Sequence, residues 1–278
     1  MGASLFLIEH PMTMLGFQKA MCDLIASPDL CKQLIESPDE VLRRYDLSDR
    51  DRHRLQEVVQ QPGMVVNCAL YRANRLAPIY NLLPDTCFLL GDKLIAEAIE
   101  FWKDFDQSRL QFNEEVERFG DFLRKRIALG VHRDAILADV LEYELVVNKF
   151  RFMQRSEVLA RVESANAAVS EAGRIYLHPL IRVLLFRHEP RALLALLSDR
   201  CSPPFQLEQG EFWLLLDAKA EELQTKVIPS DLGRLLAAID AESELAMSDE
   251  DVQLLKESGL VVRSIDNLQS CHEARAAI

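Results

Sequence analysis

Residues 211–218, EFWLLLDA, and 223–230, LQTKVIPS, are two strand-length runs separated by the charged tetrapeptide KAEE. Aromatic and aliphatic residues on either side of a short polar turn form the pattern of an antiparallel hairpin. Upstream, RIYLHPLIRVLLFR (174–187) carries β-enriched residues and a proline, followed by a short helical run PRALLALLSDR and a loop CSPPF. Downstream, Ser230 is placed to cap a helix over DLGRLLAAI. Ser248 with Asp251 makes a weaker capping box for DEDVQLLKES. Gly259 sits at the C′ position of that helix, and LVV follows as a strand. Hairpin, two helices and a terminal strand describe a winged-helix-like module.

The chain before this module reads as helix. It has only ten glycines, about half the usual ~7% share. No proline falls between Pro84 and Pro179. SPD occurs at 27–29 and 37–39: serine as cap, proline at the first helical position, an acid in the first turn. LSDRDRHRLQEVV (47–59) repeats the pattern with Ser48. Val116, Phe119, Phe122 or Leu123, and Ile127 recur at helical steps, as do Ile136, Val140, Leu141 and Leu145. The expected class is α+β: an N-terminal all-helical bundle over 1–165, then a smaller α/β winged-helix-like domain with a β-hairpin over 166–264. Residues 265–278 form a tail expected to fray.

The 278 residues are 49% hydrophobic, enough for a real core. Against 32 basic residues stand 44 acidic ones, a net charge of −12, which repels phosphate and disfavours nucleic acid. The N-terminal MGASLFLIEHPMTMLGF lacks a basic flank and a cleavage pattern, and no apolar run reaches spanning length. Six cysteines without a C-x-x-C pair are expected to stay reduced, which points to the cytoplasm.

Catalytic patterns are lacking. Neither H-x-x-x-H nor E-x-x-H spacing occurs, nor a G-x-S-x-G elbow, a phosphate-binding glycine loop or a dinucleotide fingerprint. His178 and His188 lie ten apart across a proline and read as structural histidines. Asp139, Glu142 and Glu144 crowd one helix, as Glu114, Glu115 and Glu117 do another, and read as solvated faces. The expectation is a chain that is not itself an enzyme. Its terminal module offers two binding modes: a helix in a DNA groove, as in a transcriptional regulator, or a strand edge for a peptide. Asp249, Glu250, Asp251 and Glu257 against Lys256 favour the peptide. The candidate peptide-binding residues are Phe212, Trp213, Leu214, Leu216 and Val227; the alternative for the aromatics is a place in the sheet's core.

The segment LYRANRLAPIYNLLPDTCFLLG (70–91), then AIEFW, FGDFLRKR and LADVLEYE, resembles the motif order of one family. These are the helical partner subunits of ribosomally made, modified-peptide biosynthesis, the MbnC- and HvfC-like proteins of methanobactin-type systems. The resemblance rests on Tyr71, Arg72 and Asn74; Pro84, Leu90 and Gly91; Phe119 and Phe122; and Leu137, Ala138, Asp139, Leu141 and Glu144, and spans about residues 20–230. It implies a heterodimer with a TIM-barrel oxidase that holds two or three iron ions and modifies cysteines of a precursor peptide. This chain would carry no cofactor, the iron lying on the oxidase, and would help bind the peptide's leader by strand addition. Leu145 departs from the aromatic that members often have at that place. Residues 1–20 and those beyond Ser264 have no counterpart in the family.

Within 70–91, a helix over 64–77 ended by Pro78 would place Tyr71, Asn74 and Arg75 on one face, with Arg72 ~100° around from Tyr71. Two roles stay open for the arginines. They pair with acids such as Asp139 or Glu142 and cover helix-end carbonyls, or they meet acids of the oxidase. Tyr71, Arg72, Asn74, Arg75, Asp139 and Glu142 are therefore the candidate partner-binding set.

Overall fold

A computed structural model describes residues 11–104, 112–167, 175–241 and 249–263. The fold is α+β. Its helices are α1 (Pro11–Ala26), α2 (Pro28–Glu36), α3 (Pro38–Leu42), α4 (Asp49–Val59), α5 (Pro62–Leu82), α6 (Pro84–Leu90), α7 (Leu94–Asp104), α8 (Phe112–Ala128), α9 (Ala135–Phe152) and α10 (Arg155–Ala167). Strands β1 (Ile175–Leu177) and β2 (Ile181–His188), helix α11 (Pro190–Ser198), strands β3 (Gln209–Asp217) and β4 (Gln224–Ile228), helices α12 (Ser230–Asp240) and α13 (Asp249–Glu257), and strand β5 (Val261–Arg263) complete it. Among the described residues no helix is long and apolar enough to cross a membrane.

The helix starts follow local chemistry. The Ser27 hydroxyl accepts the Leu30 N–H and the Ser48 hydroxyl that of Asp51, both at 3.2 Å, satisfying donors that the first turn leaves open. Ser37 occupies the cap position of α3 without a side-chain bond. Ser230 does not cap α12. Pro229 supplies the extended residue before the helix, its carbonyl accepts the Gly233 N–H at 2.9 Å, and Ser230 is the first helical residue. The expected cap Ser248, the change of texture near Gly173 and the tail 265–278 lie outside the described residues. So do residues 1–10.

Pro78 does not end its helix. α5 continues through it to Leu82. A proline inside a helix costs about 3 kcal/mol through its missing N–H and ring clash. Here Pro78 and the fully buried Ile79 both face the interior, so burial favours continuation over a turn that would expose them.

The chain divides into two compact units. One comprises the described residues of Met1–Asn81 and Ile95–Gln111; the other those of Leu82–Leu94 and Phe112–Ile278. This division differs from the expected boundary at 165/166, because α9 packs directly on β2 and so joins the sheet's core. In the first unit Leu24, Leu34, Leu42 and Leu55 form the centre of the core. A Cβ at Gly16 of α1 would overlap the Asp46 carbonyl, so that approach requires glycine.

In the second unit β2, β3 and β4 form an antiparallel sheet in that order, with Leu184 opposite Leu214 and Trp213 opposite Ile228. The hairpin expected from 211–230 is present as β3–β4. Both faces of the sheet are covered. Phe212, Leu214, Leu216 and Val227 pack with Phe186, Val140 of α9 and Leu193 of α11. Trp213, Leu215 and Ile228 pack with Leu236 and Ile239 of α12. The short strands β1 and β5 pair separately, with Tyr176 opposite Val262. Gly259, at φ +67°, ends α13 as its position implies: its N–H reaches the Lys256 carbonyl, and the Leu260 N–H that of Leu255.

Gly233 fixes how closely α12 approaches β3, since a Cβ there would overlap the Trp213 ring and Cβ. Alanine adds about 1 kcal/mol of helix propensity. Overpacking costs about 1–3 kcal/mol, and the overlap with atoms close to the strand backbone puts it at the upper end. Gly233→Ala is therefore expected to lower the unfolding free energy in urea by about 1–2 kcal/mol. A higher urea midpoint would contradict this packing.

Candidate functional site

The first unit contains a groove of about 560 Å³. It lies among α1, the start of α2, the residues after α3, and the facing parts of α5 and α7. Its charged lining comprises Lys19, Asp23, Asp29, Arg44, Arg72 and Lys103, with Tyr45 and Trp102 as aromatic walls. The Tyr45 hydroxyl donates to Asp23 at 2.8 Å, Lys103 pairs with Glu100 at 2.6 Å, and Asp29 lies 3.8 Å from Lys32. Among the described residues the side chains of Lys19, Arg44 and Arg72 make no ion pair or hydrogen bond, and the Arg72 Nε is buried without a partner. A half-buried guanidinium with unmet donors makes the groove receptive to an anion.

Arg75, three residues on, has the opposite role. It is 3% exposed, and its guanidinium lies 5.9, 5.8 and 5.4 Å from the ring centres of Tyr71, Phe101 and Trp102. Such cation–π contacts contribute about 2 kcal/mol each when desolvated. Arg75 thus fastens α5 to α7 and is no surface residue, contrary to its place in the expected partner-binding set. Asn74 is exposed, so the expected shared face divides between solvent and interior.

The acids expected to serve these arginines are engaged within the second unit. Glu142 accepts two bonds from Arg124, both at 2.6 Å. Asp139 is buried and accepts the Arg187 N–H at 2.8 Å. That N–H falls where β2 shifts register against β3, so Asp139 satisfies a donor that the ladder omits. Burial raises the Asp139 pKa above the ordinary carboxylate range.

Glu144 accepts the N–H groups of Asp85 and Thr86, each at 2.8 Å, and so caps α6 from α9. Asn148 donates to the Leu82 carbonyl at 2.6 Å. Burial pushes the Glu144 carboxyl up to about 7, outweighing the pull of those backbone donors. Neither Asp139 nor Glu144 is the solvated side chain that the crowded acids suggested. Both were missed because their partners are backbone groups distant in sequence.

The proposed peptide-binding residues also lie inside. Trp213, Leu214 and Leu216 are buried, while Phe212 and Val227 are half-buried against the core. This is the core reading of the aromatics. His178 is buried, its Nδ1 accepting the Leu180 N–H, and burial with nearby Lys219 lowers its pKa to about 4. Burial pushes the thiols of Cys31 and Cys87 up to about 12, far from reactive thiolates. Among the described residues no group of three His, Cys, Asp or Glu side chains is placed to hold a metal ion. Compared with known proteins, the chain matches no family model, and no curated protein matches it.

Glu144 and His178 act in opposite directions. Glu144 holds its proton to about 7 when folded, against ~4.3 unfolded, so its stabilisation is full below ~4.3 and is lost as pH rises towards 7. His178 is held neutral down to about 4, so its stabilisation is lost as pH falls below ~6.5. Glu144→Gln removes the first effect. Its unfolding free energy relative to wild type is expected to rise by roughly 2 kcal/mol between about pH 5 and 7, measured in urea. Parallel pH profiles for the two proteins would refute this role for Glu144.

Proposed function

We propose that this protein is a non-catalytic partner subunit, in the cytoplasm, that binds a TIM-barrel multinuclear iron oxidase. In that role it helps to recognise the leader of a ribosomally made precursor peptide whose cysteines the oxidase modifies. The observation that carries this reading is Arg72. It is the arginine of the Tyr71-Arg72-x-Asn74 segment in the family resemblance, and it lines a groove with no anionic partner among the described residues. A guanidinium so placed is suited to bidentate contact with carboxylates of a partner protein.

The iron and its ligands would belong to the oxidase. The leader would add to the sheet at β4, its terminal strand, whose Gln224, Thr225 and Lys226 are exposed. Because Phe212, Trp213, Leu214 and Leu216 serve the core, leader affinity would come from main-chain bonds along this edge, with Val227 as the half-buried contact.

Co-expression with the neighbouring open reading frames, followed by gel filtration and mass spectrometry, tests the reading. An iron-containing barrel protein is expected to elute with this chain. Arg72→Glu is expected to weaken the complex at least tenfold, about 1.4 kcal/mol. A lone protein at micromolar concentration, with every neighbour expressed, would contradict the proposal.

A further inference from the structure

We infer that the groove of the first unit binds an acidic peptide segment, taking two or more of its side-chain carboxylates onto Arg72, Arg44 and Lys19. This rests on the partner-subunit reading and specifies what the partner presents: a protruding segment rich in Asp or Glu that enters the groove.

The argument is charge complementarity in a confined space. The protein carries a net charge of −12, yet three of the four cations in this groove, Lys19, Arg44 and Arg72, form no ion pair among the described residues, although Asp23 and Asp29 share the lining. Asp23 accepts from the neutral Tyr45 hydroxyl, which leaves its charge in place, Asp29 lies beside Lys32, and Lys103 is paired with Glu100, so the cations still outnumber the acids in the groove. That leaves three uncommitted cations converging from α1, from the residue following Arg43 at the end of α3, and from α5. Arg72 is the most demanding of them, since its Nε is out of reach of water and meets no acceptor. Its Nη groups are not buried and have no acceptor among the described residues, so they are the donors a ligand carboxylate can meet. Trp102 offers an apolar wall beside the cations, which suits a peptide with an aliphatic residue between its acids better than a bare ion.

The groove's size and the chain's overall charge select peptide over nucleic acid. A volume of about 560 Å³ holds a few side chains. Duplex DNA is read by an extended basic surface, whereas these cations form a compact cluster within an acidic protein.

The probe is a capped pentapeptide, Glu-Glu-Leu-Glu-Glu, titrated into the full-length protein with tryptophan fluorescence as the readout. Binding is expected to weaken roughly tenfold between about 0.05 M and 0.5 M salt, as screening shortens the reach of the cations. The Gln-Gln-Leu-Gln-Gln peptide is expected not to bind. Lys19→Glu with Arg44→Glu, at two exposed positions that leave the core intact, is expected to weaken binding at least tenfold. Arg72→Gln should do the same, and Lys103→Gln, whose lysine is already paired, should change binding less than twofold.

Equal binding of the glutamine peptide, or undiminished binding by the double variant, overturns the assignment. Tighter binding of a DNA duplex than of the glutamate peptide overturns it in favour of a phosphate ligand. The two readings fail separately. An oxidase that co-purifies with wild type and double variant alike, while the peptide binds neither, removes the groove assignment alone. Peptide binding by a chain that captures no oxidase removes the partner-subunit reading alone.

Discussion

The buried guanidinium of Arg75 is the constraint on which the first unit's functional geometry depends. A charge withdrawn from water must be met by other groups, and an arginine does not escape by losing its proton. The rings of Tyr71, Phe101 and Trp102 therefore remain around it, which holds α5 against α7. One turn earlier on the same helix, Arg72 is thereby set in the groove wall beside Trp102. The structural arginine positions the available one.

The second unit is organised by carboxylates and an amide that serve the backbone. On α9, Asp139 takes the N–H omitted from the β2–β3 ladder, Glu144 caps α6, and Asn148 holds the carbonyl of Leu82. Leu137 and Leu141 of the same motif are buried. The run LADVLEYE is thus accounted for by folding. Of the residues behind the family resemblance, Arg72 and the exposed Asn74 have side-chain polar groups that no described residue takes up.

Features set by neighbours in the chain were legible in the sequence. Ser27 and Ser48 cap as their SPD and SDRD contexts imply, Gly259 turns the chain after α13, and 211–230 forms the hairpin that makes the fold α+β. Features set by distant neighbours were not. The helix runs through Pro78 because burial outweighs its local preference. Ser230 loses the cap position to Pro229. Asp139 and Glu144 look solvated until Arg187 and the start of α6 are placed beside them. The groove draws on residues from Lys19 to Lys103, a constellation without any motif spacing. Arg72 and Arg75 are equivalent in sequence, and the burial of Arg75 among three rings gives them different tasks.

Site-specific photo-crosslinking at the groove rim tests the central claim most directly. A photoreactive residue in place of the exposed, groove-lining Gln33 would be irradiated in cells that co-express the neighbouring open reading frames. The expected product joins this chain to an Asp- or Glu-rich segment of the oxidase. A complex that forms and yields no crosslink at Gln33, or a crosslink to a segment without acids, would contradict the role assigned to the groove.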